Sequence, residues 1–300
     1  MRRFLGGSWT DKRPRGVTSR PAEGDTVIVQ KLLTWFRERG LAWTFLYVLR
    51  EAVLRSSALL RYRLESALMG IERRRMLFGP STLSMETNTR EDNERIWSAH
   101  DWSRMGEEWT DDVRQNLGKD PEAWKQDLIE KVLLRDLKPE SQIVEIGPGG
   151  GRWSETLLQY ARRLYLVDIT QRCLDLCRKR FGDDQRIVCH LVTEKPWLDA
   201  IDDNTVDFVW SYDAFVHINP LDTRTYIEEI RRILKPGGSA VIHHPGDYAS
   251  HRDRQRGFRS NVDSKMFSRL LESNGLTVIS QDFESPHLKG DCITTFTKTI

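Results

Sequence analysis

The spacing of apolar residues changes its character along the chain. Within residues 27–78, apolar positions such as Leu32, Trp35, Phe36, Trp43 and Leu46 recur at intervals of three or four. This spacing, with arginines between the apolar positions, predicts a basic amphipathic helical extension. Residues 1–26 are rich in Gly, Pro, Arg and Ser and have no periodicity, so we predict a disordered basic tail there.

From residue 121 onward, short apolar runs alternate with helical patterns. Predicted helices span 121–137, 151–161, 171–181, 221–234 and 263–273, and predicted strands span 142–146, 164–168, 186–192, 206–211, 239–243, 277–281 and 292–297. Such alternation predicts an α/β domain, 121–300, with a doubly wound, seven-stranded and mostly parallel sheet. The last two strands have no helix between them, so we expect an antiparallel hairpin at the sheet edge.

Between these two regions, residues 79–120 form a predicted linker and Trp-rich cap. The polar stretch 79–94 contains Gly and Pro and predicts a linker. Trp97, Trp102 and Trp109 follow it among acidic residues. Two interpretations are open: the segment covers a substrate cleft, or it anchors the extension to the domain through its aromatic rings.

Charge is distributed unevenly, although the chain carries a net charge of only +2. Residues 1–80 hold 16 Lys/Arg against 7 Asp/Glu, whereas the remainder is acidic. A basic extension suits a membrane surface or a nucleic acid, but core packing, self-association and an unpartnered solvated arm are equally compatible. The longest apolar stretch, 41–49, is well short of the about 20 residues that a spanning helix needs. We therefore expect a cytoplasmic protein, with peripheral membrane contact through 27–78 as an open alternative.

The strongest chemical motif is VEIGPGGGRW, at residues 144–153. It follows a predicted strand and opens a helix, and Gly147, Gly149 and Gly151 allow the backbone to pass close to a ligand. Glu145 precedes the first glycine. Asp168 ends the next strand, where a carboxylate can accept hydrogen bonds from both hydroxyls of a ribose.

Together with IDDNTVDFVWS and YIEEIRRILKPGG, this motif resembles the class I S-adenosylmethionine-dependent methyltransferases, which have a Rossmann-like fold. The resemblance covers about residues 122–298. It implies S-adenosyl-L-methionine as cofactor, with Asp168 at the ribose, Glu145 near the amino end and Glu194 near the adenine, although LVTEKPWL departs from the usual sequence around Glu194. The implied cofactor residues are Glu145, Gly147, Pro148, Gly149, Gly151, Asp168, Ile169, Glu194 and Ser211.

Candidates for acceptor binding or for a general base follow the fourth and fifth strands. They are Asp213 and His217 in SYDAFVHI, and His243 and His244 in IHHPGDY. Histidine suits a base because its pKa lies near neutral pH. Three histidines and an aspartate can also hold a divalent metal. Their spacing does not require one, and we predict no metal.

A weaker resemblance, to bacterial sugar and polysaccharide methyltransferases, implies O-methylation of a sugar or another small polar acceptor. The Arg-rich stretch 251–259 either binds an anionic acceptor or forms a solvated loop. Alternatives are an amine or RNA methyltransferase and a membrane-associated cofactor-binding protein without turnover. We expect no nucleic-acid partner for the domain, while an oligomer is compatible with the sequence.

Overall fold

The part of the chain that the structure describes is built around one β-sheet. The structure is a computed structural model, which describes Phe45 and residues 88–193, 198–246, 259–260 and 262–299. Residues 69–300 belong to one compact unit. The predicted tail 1–26, almost all of the helical extension 27–78, most of the linker, Glu194 and most of the Arg-rich stretch lie outside the described residues.

The sheet has seven strands in the spatial order β3-β2-β1-β4-β5-β7-β6. The strands are β1 (Ser141–Ile146), β2 (Ala161–Asp168), β3 (Ile187–Leu191), β4 (Val206–Ser211), β5 (Leu234–Pro245), β6 (Leu276–Asp282) and β7 (Asp291–Lys298). Strands β1 to β5 pair in parallel, whereas β7 pairs antiparallel with both β5 and β6. The predicted sheet and its antiparallel edge hairpin are confirmed.

Seven α-helices are described around this sheet. They are α1 (Arg90–Ala99), α2 (Thr110–Leu117), α3 (Pro121–Leu128), α4 (Ser154–Tyr160), α5 (Gln171–Phe181), α6 (Pro220–Ile233) and α7 (Ser264–Ser273). Several begin at side-chain caps. Asp120, Thr170, Asn219 and Asp263 each accept a hydrogen bond from a backbone N–H of the first turn, as N-cap residues do.

Two boundaries differ from the predictions in an informative way. The predicted helix 121–137 ends as an α-helix at Leu128 and continues as a π-helical turn, Ile129–Leu133, which shortens it. The predicted helix 151–161 begins only at Ser154, because the glycine segment before it forms a loop. By contrast, α5 and β4 have the predicted bounds.

Strand residues alternate between two buried layers, one on each face of the sheet. In β1, Val144 packs with the helices α6 and α7, whereas Ile143 packs with the layer that contains Trp153 and Leu157. In β5, Ile242 lies in the first layer and Val241 in the second. Because successive side chains on a strand point to opposite faces, His243 and His244 enter different environments.

From the centre of the sheet, β1, β2 and β3 follow one another toward one edge, whereas β4 and β5 lead toward the other edge. The strand order therefore switches direction between β1 and β4. A crevice forms beyond the carboxyl ends of such strands, where ligands bind in doubly wound folds. Within the described residues, no helix is long and apolar enough to cross a bilayer. No group of three or more His, Cys, Asp or Glu in this part of the chain is arranged to hold a metal ion.

Candidate active site

A cavity lies at the carboxyl ends of the central strands. Its floor includes Gly147, Pro148 and Gly149 after β1, and Asp168 and Ile169 at the end of β2. The segment after β4 contributes Tyr212, Asp213, Ala214 and His217, and the cap segment contributes Trp97, Trp102 and Trp109. The cavity therefore brings five of the nine predicted cofactor residues together with two of the four candidates for acceptor chemistry.

The glycine loop is held tightly between its neighbours. The backbone N–H of Gly147 donates to the carbonyl of Val167 at 2.8 Å, which ties the loop to β2. Gly147 has a φ of 74°, and a Cβ placed on it would lie 2.4 Å from the Cβ of Ala214. A Cβ on Gly149 would lie 2.8 Å from the indole of Trp102. Both positions thus need glycine for conformation and for space.

Asp168 is anchored by the start of the next helix. One carboxylate oxygen, Oδ1, accepts hydrogen bonds from the backbone N–H of Thr170 at 2.8 Å and from its hydroxyl at 2.9 Å. Burial raises the pKa of Asp168 to about 6, although these bonds and the amides of Gly149 and Ile169 oppose the shift. Because Thr170 engages Oδ1 alone, the carboxylate retains acceptor capacity for the predicted ribose hydroxyls.

Glu145 lies at the end of β1 and is 1% exposed. The Ser154 hydroxyl donates to Oε2, whereas Oε1 has no hydrogen-bond partner among the residues that the structure describes. Burial raises the pKa of Glu145 to about 8. A buried oxygen without a partner is costly, so this atom suits a donor such as the predicted amino end of the cofactor.

The other predicted cofactor residues divide into two groups. Pro148 and Ile169 line the cavity. Gly151 instead packs against α5, where a Cβ would lie 2.8 Å from the ring of Phe181, and the Ser211 hydroxyl donates to the carbonyl of Ile146 at 2.8 Å. The structure shows packing and strand-linking contacts for these two residues, and their contact with the cofactor stays a prediction.

The Trp-rich cap forms an aromatic wall of the cavity. The rings of Trp97, Trp102 and Trp109 lie 5.8 to 6.2 Å apart, and the Trp102 indole N–H donates to the carbonyl of Trp97. The ring of His217 lies edge-on to Trp97 at 4.9 Å. The cap segment therefore covers the cleft, as one of the two sequence interpretations has it.

Arg152 fastens this cap to the glycine loop. Its guanidinium is 5% exposed, lies 3.2 Å from the Glu107 carboxylate and sits over the rings of Trp124 and Trp153. A Cβ on Gly150 would lie 2.4 Å from the backbone of Met105, so loop and cap are in direct contact. The cap segment thus lies against the glycine loop and is held to it by an ion pair whose arginine is buried.

Asp213 stands at the acceptor end in a strained conformation. Its φ is 63°, which is uncommon for a residue other than glycine. Its Oδ1 lies 3.2 Å from Nδ1 of His243 and 3.7 Å from Nδ1 of His287. Burial alone would raise the pKa of Asp213, but His287, His243 and Arg259 together hold it well below its usual range. Asp213 is therefore an anion at neutral pH.

The four predicted acceptor-site residues separate by position. Asp213 and His217 line the cavity, and His243 lies directly behind Asp213 with no exposed surface. The prediction for His244 needs correction, because its ring stacks on Phe267 at 3.9 Å on the opposite face of β5, and its Nε2 lies 2.7 Å from the Thr294 hydroxyl. The pleat of the strand turns it away from the cavity.

Two residues of this cluster, His287 and Asp291, were not identified from the sequence, and the third, Arg259, was predicted only as the end of the Arg-rich stretch. His287 lies 3.2 Å from the Tyr212 hydroxyl through Nδ1, Asp291 lies 3.3 Å from Nε2 of His243, and Arg259 lies 3.2 Å from Asp291. They come from the segments around β7 and from the end of the Arg-rich stretch. The predicted C-terminal hairpin indicated that the segments around β7 lie at the sheet edge. The register of β7 against β5, which brings Asp291 to His243, could not be predicted.

Comparisons with known proteins show that part of the chain is similar to methyltransferases. Residues 144–242 match the family model described as a methyltransferase domain. Over 118 residues, the chain is 33% identical to a glycine/sarcosine/dimethylglycine N-methyltransferase of Actinopolyspora halophila, and over 117 residues 30% identical to a sarcosine/dimethylglycine N-methyltransferase of Halorhodospira halochloris. These matches cover 37% and 38% of this chain, but only 20% and 40% of those relatives.

Among solved structures, the chain resembles a geranyl diphosphate C-methyltransferase of Streptomyces coelicolor A3(2), whose structure contains S-adenosyl-L-homocysteine. The TM-score is 0.51 at 14% identity, and the match covers 72% of this chain and 100% of the other. At that identity the likeness concerns the fold alone.

Proposed function

Because residues 144–242 match the model of a methyltransferase domain, we propose that the chain is a class I S-adenosylmethionine-dependent methyltransferase that transfers a methyl group from S-adenosyl-L-methionine to a small polar acceptor. One observation carries the proposal: the glycine loop and Asp168 share a single cavity with Asp213 and the aromatic cap. A cavity that joins a nucleoside-binding edge to a carboxylate under a cover suits group transfer in a closed site.

The residues of the cavity fit this cofactor. Gly147 and Gly149 keep side chains out of the loop, Asp168 has capacity for hydroxyl donors, and Glu145 has a buried oxygen suited to an amino group. When bound, the cofactor supplies an electrophilic methyl group, so the protein has only to orient the acceptor and manage its proton. The tryptophan cap, which Arg152 holds to the glycine loop, lines this cavity with apolar rings.

For the acceptor, we propose a small amine rather than a sugar hydroxyl. Asp213 is held ionised, and an anion at the acceptor end attracts an ammonium group. The rings of Trp97, Trp109 and Tyr212 line the same cavity, and aromatic faces attract cations. The two curated relatives are named for the N-methylation of glycine derivatives, which supports an amino acid or a methylated amino acid as acceptor.

The sugar hydroxyl that the weaker sequence resemblance suggested is the competing acceptor. A hydroxyl gives up its proton far less readily than an ammonium group, and a carboxylate with a lowered pKa is a weak base for that purpose. Methyl transfer measured to amines and to sugars in one experiment therefore distinguishes the amine hypothesis from the sugar hypothesis.

The test is methyl transfer by the full chain, with methyl-labelled cofactor and a panel of glycine, sarcosine, dimethylglycine, nucleotide sugars, monosaccharides and RNA. We expect label in an amine. Label in a sugar alone would move the acceptor to the hydroxyl class. If no acceptor is labelled although calorimetry shows tight cofactor binding, the proposed methyl transfer is wrong, and a cofactor-binding protein without turnover is favoured.

Two variants accompany this panel. Asp213→Asn removes the anion and is expected to lower amine methylation at least 100-fold, because the acceptor loses its charged partner. Asp207→Asn is the matched control. Asp207 also lies on β4, where it pairs with Lys235 rather than with the cavity, so activity should stay within about threefold.

A further inference from the structure

We propose that Asp213, His243 and Asp291 form a buried proton relay, in which His243 takes up, through Asp213, the proton that the acceptor gives up. The inference rests on the proposed methyl transfer to an amine, because an ammonium group must lose a proton before its nitrogen can accept the methyl group. His243 and Asp291 are positioning residues in this arrangement, since Asp213 alone of the three lines the cavity.

The relay is a line of three side chains. Nδ1 of His243 lies 3.2 Å from Oδ1 of Asp213, and Nε2 lies 3.3 Å from Oδ2 of Asp291. His243 and Asp291 have no exposed surface, whereas the Asp213 side chain is 17% exposed. The imidazole therefore joins a carboxylate in the cavity to one in the protein interior.

The resting tautomer follows from a backbone contact. The N–H of Asp213 donates to Nδ1 of His243 at 3.2 Å, so in the neutral ring Nδ1 is an acceptor and Nε2 carries the proton toward Asp291. The Nδ1 lone pair thus faces Asp213, whose backbone N–H and Oδ1 both lie 3.2 Å away, so a proton that arrives from Oδ1 replaces the backbone hydrogen bond. That is the orientation required to receive a proton from the cavity side.

Charges around the imidazole favour uptake of a proton. Among the described residues, the groups that face it include Asp213 after β4, Asp291 on β7, His287 before β7, Arg259 and the ring of Tyr212, which stacks on His243 at 4.3 Å. Burial lowers the pKa of His287, although the Asp213 carboxylate opposes that shift. The two carboxylates nearest the His243 ring, Asp213 and Asp291, both favour a proton on it.

The pKa of His243 responds to these neighbouring charges. Burial would lower its pKa, but the contacts with Asp213 and Asp291 outweigh burial and raise it. Asp213, by contrast, holds a proton poorly because its own pKa is lowered. A proton that reaches Asp213 is therefore more stable on the ring behind it.

The step balances as follows. The bond between the acceptor atom and its hydrogen breaks, and the electron pair stays on the acceptor atom as its nucleophilic lone pair. The proton passes to Oδ1 of Asp213 and then to Nδ1 of His243, which becomes an imidazolium between two carboxylates. It returns to solvent through Asp213 when the cavity opens and the product leaves.

Histidine protonation can be measured without turnover. Ring nitrogen shifts of the full chain bound to S-adenosyl-L-homocysteine are followed by NMR across pH, and His243→Gln assigns the signal. We expect the pKa of His243 to lie above 6.5 and to fall by one unit or more in Asp291→Asn, which removes a charge 3.3 Å away. The control is Thr294→Val on the same strand, which removes the hydroxyl beside His244 and should leave the pKa of His243 in place.

A second measurement links the relay to the reaction. Once the acceptor panel has given a substrate, the acid limb of kcat/KM should move to lower pH in Asp291→Asn by the same amount as the NMR titration, and His243→Gln should lower kcat at least 100-fold. Thr294→Val should move neither. A role confined to packing would lower stability without moving the acid limb.

The outcomes of the two measurements separate the two proposals. Methyl transfer with an acid limb that does not respond to Asp291→Asn overturns the relay and leaves the function standing. A ring that stays neutral down to pH 5 overturns the relay directly. Absence of transfer to every acceptor overturns the function, and the role of the relay with it, whatever the NMR titration shows.

Discussion

The glycine at the first bend of the cofactor loop offers a sharp test of the site's geometry. Gly147 has a φ of 74°, and an added Cβ would lie 2.4 Å from the Cβ of Ala214. Gly147→Ala therefore introduces two separate penalties. One is a left-handed backbone conformation that a side chain disfavours, and the other is a clash with the residue after Asp213 in the segment that follows β4.

Each penalty has a characteristic magnitude. The left-handed conformation costs about 1–2 kcal/mol, and overpacking of a filled site costs about 1–3 kcal/mol. We therefore expect Gly147→Ala to lower the free energy of unfolding by about 2–5 kcal/mol. Adding Ala214→Gly removes the clashing atom, so the pair should show a favourable coupling energy of about 1–3 kcal/mol in a double-mutant cycle.

Equilibrium unfolding in urea measures these values, with cofactor-free protein in every case. Gly118→Ala is the matched control, because Gly118 also has a positive φ, 63°, but a Cβ there would meet nothing within 4 Å. It should cost only the conformational part, about 1–2 kcal/mol. Equal losses for Gly147→Ala and Gly118→Ala, or a coupling energy near zero, would refute the packing of the loop against Ala214.

Three further predictions concern charged groups near the cavity. Asp168→Ala should weaken binding of S-adenosyl-L-homocysteine more than tenfold by calorimetry, because the ribose hydroxyls lose their acceptor; an affinity within twofold of wild type would place the ribose elsewhere. Glu145 has a pKa of about 8 in the fold against an ordinary 4.5, so the cofactor-free protein should lose stability as pH rises through that window, and Glu145→Gln should flatten the dependence of Tm on pH. Identical pH dependence in the variant would contradict a buried neutral acid. Arg152→Met should lower the free energy of unfolding by about 3 kcal/mol, whereas Arg114→Met, which breaks an exposed pair, should cost under about 1 kcal/mol; similar losses would mean that Arg152 does not anchor the cap.

Much of the fold could be predicted because its signals are local. Helix α5 begins after Thr170, whose side chain accepts from the backbone of Cys173, and it ends before Gly182, so both bounds are encoded within a few residues. The buried strand before Gly147 and the carboxylate at the end of β2 were likewise identified from short apolar runs and their endings. The cofactor edge of the cavity follows from these elements, since the carboxyl ends of neighbouring parallel strands meet at one edge.

Which side chains meet at the acceptor end of the cavity was decided by the tertiary structure. His243 and His244 are adjacent in sequence, and nothing local distinguishes them; the pleat sends one toward Asp213 and the other onto Phe267. Asp291 reaches His243 only through the antiparallel register that pairs Pro245 with Asp291. The sequence by itself determined which strands carry the cofactor loop, because period and capping act over a few residues. The charge state of the acceptor site was decided by side chains far apart in the chain, because burial and Coulomb interactions depend on distance in space and not on distance along the backbone.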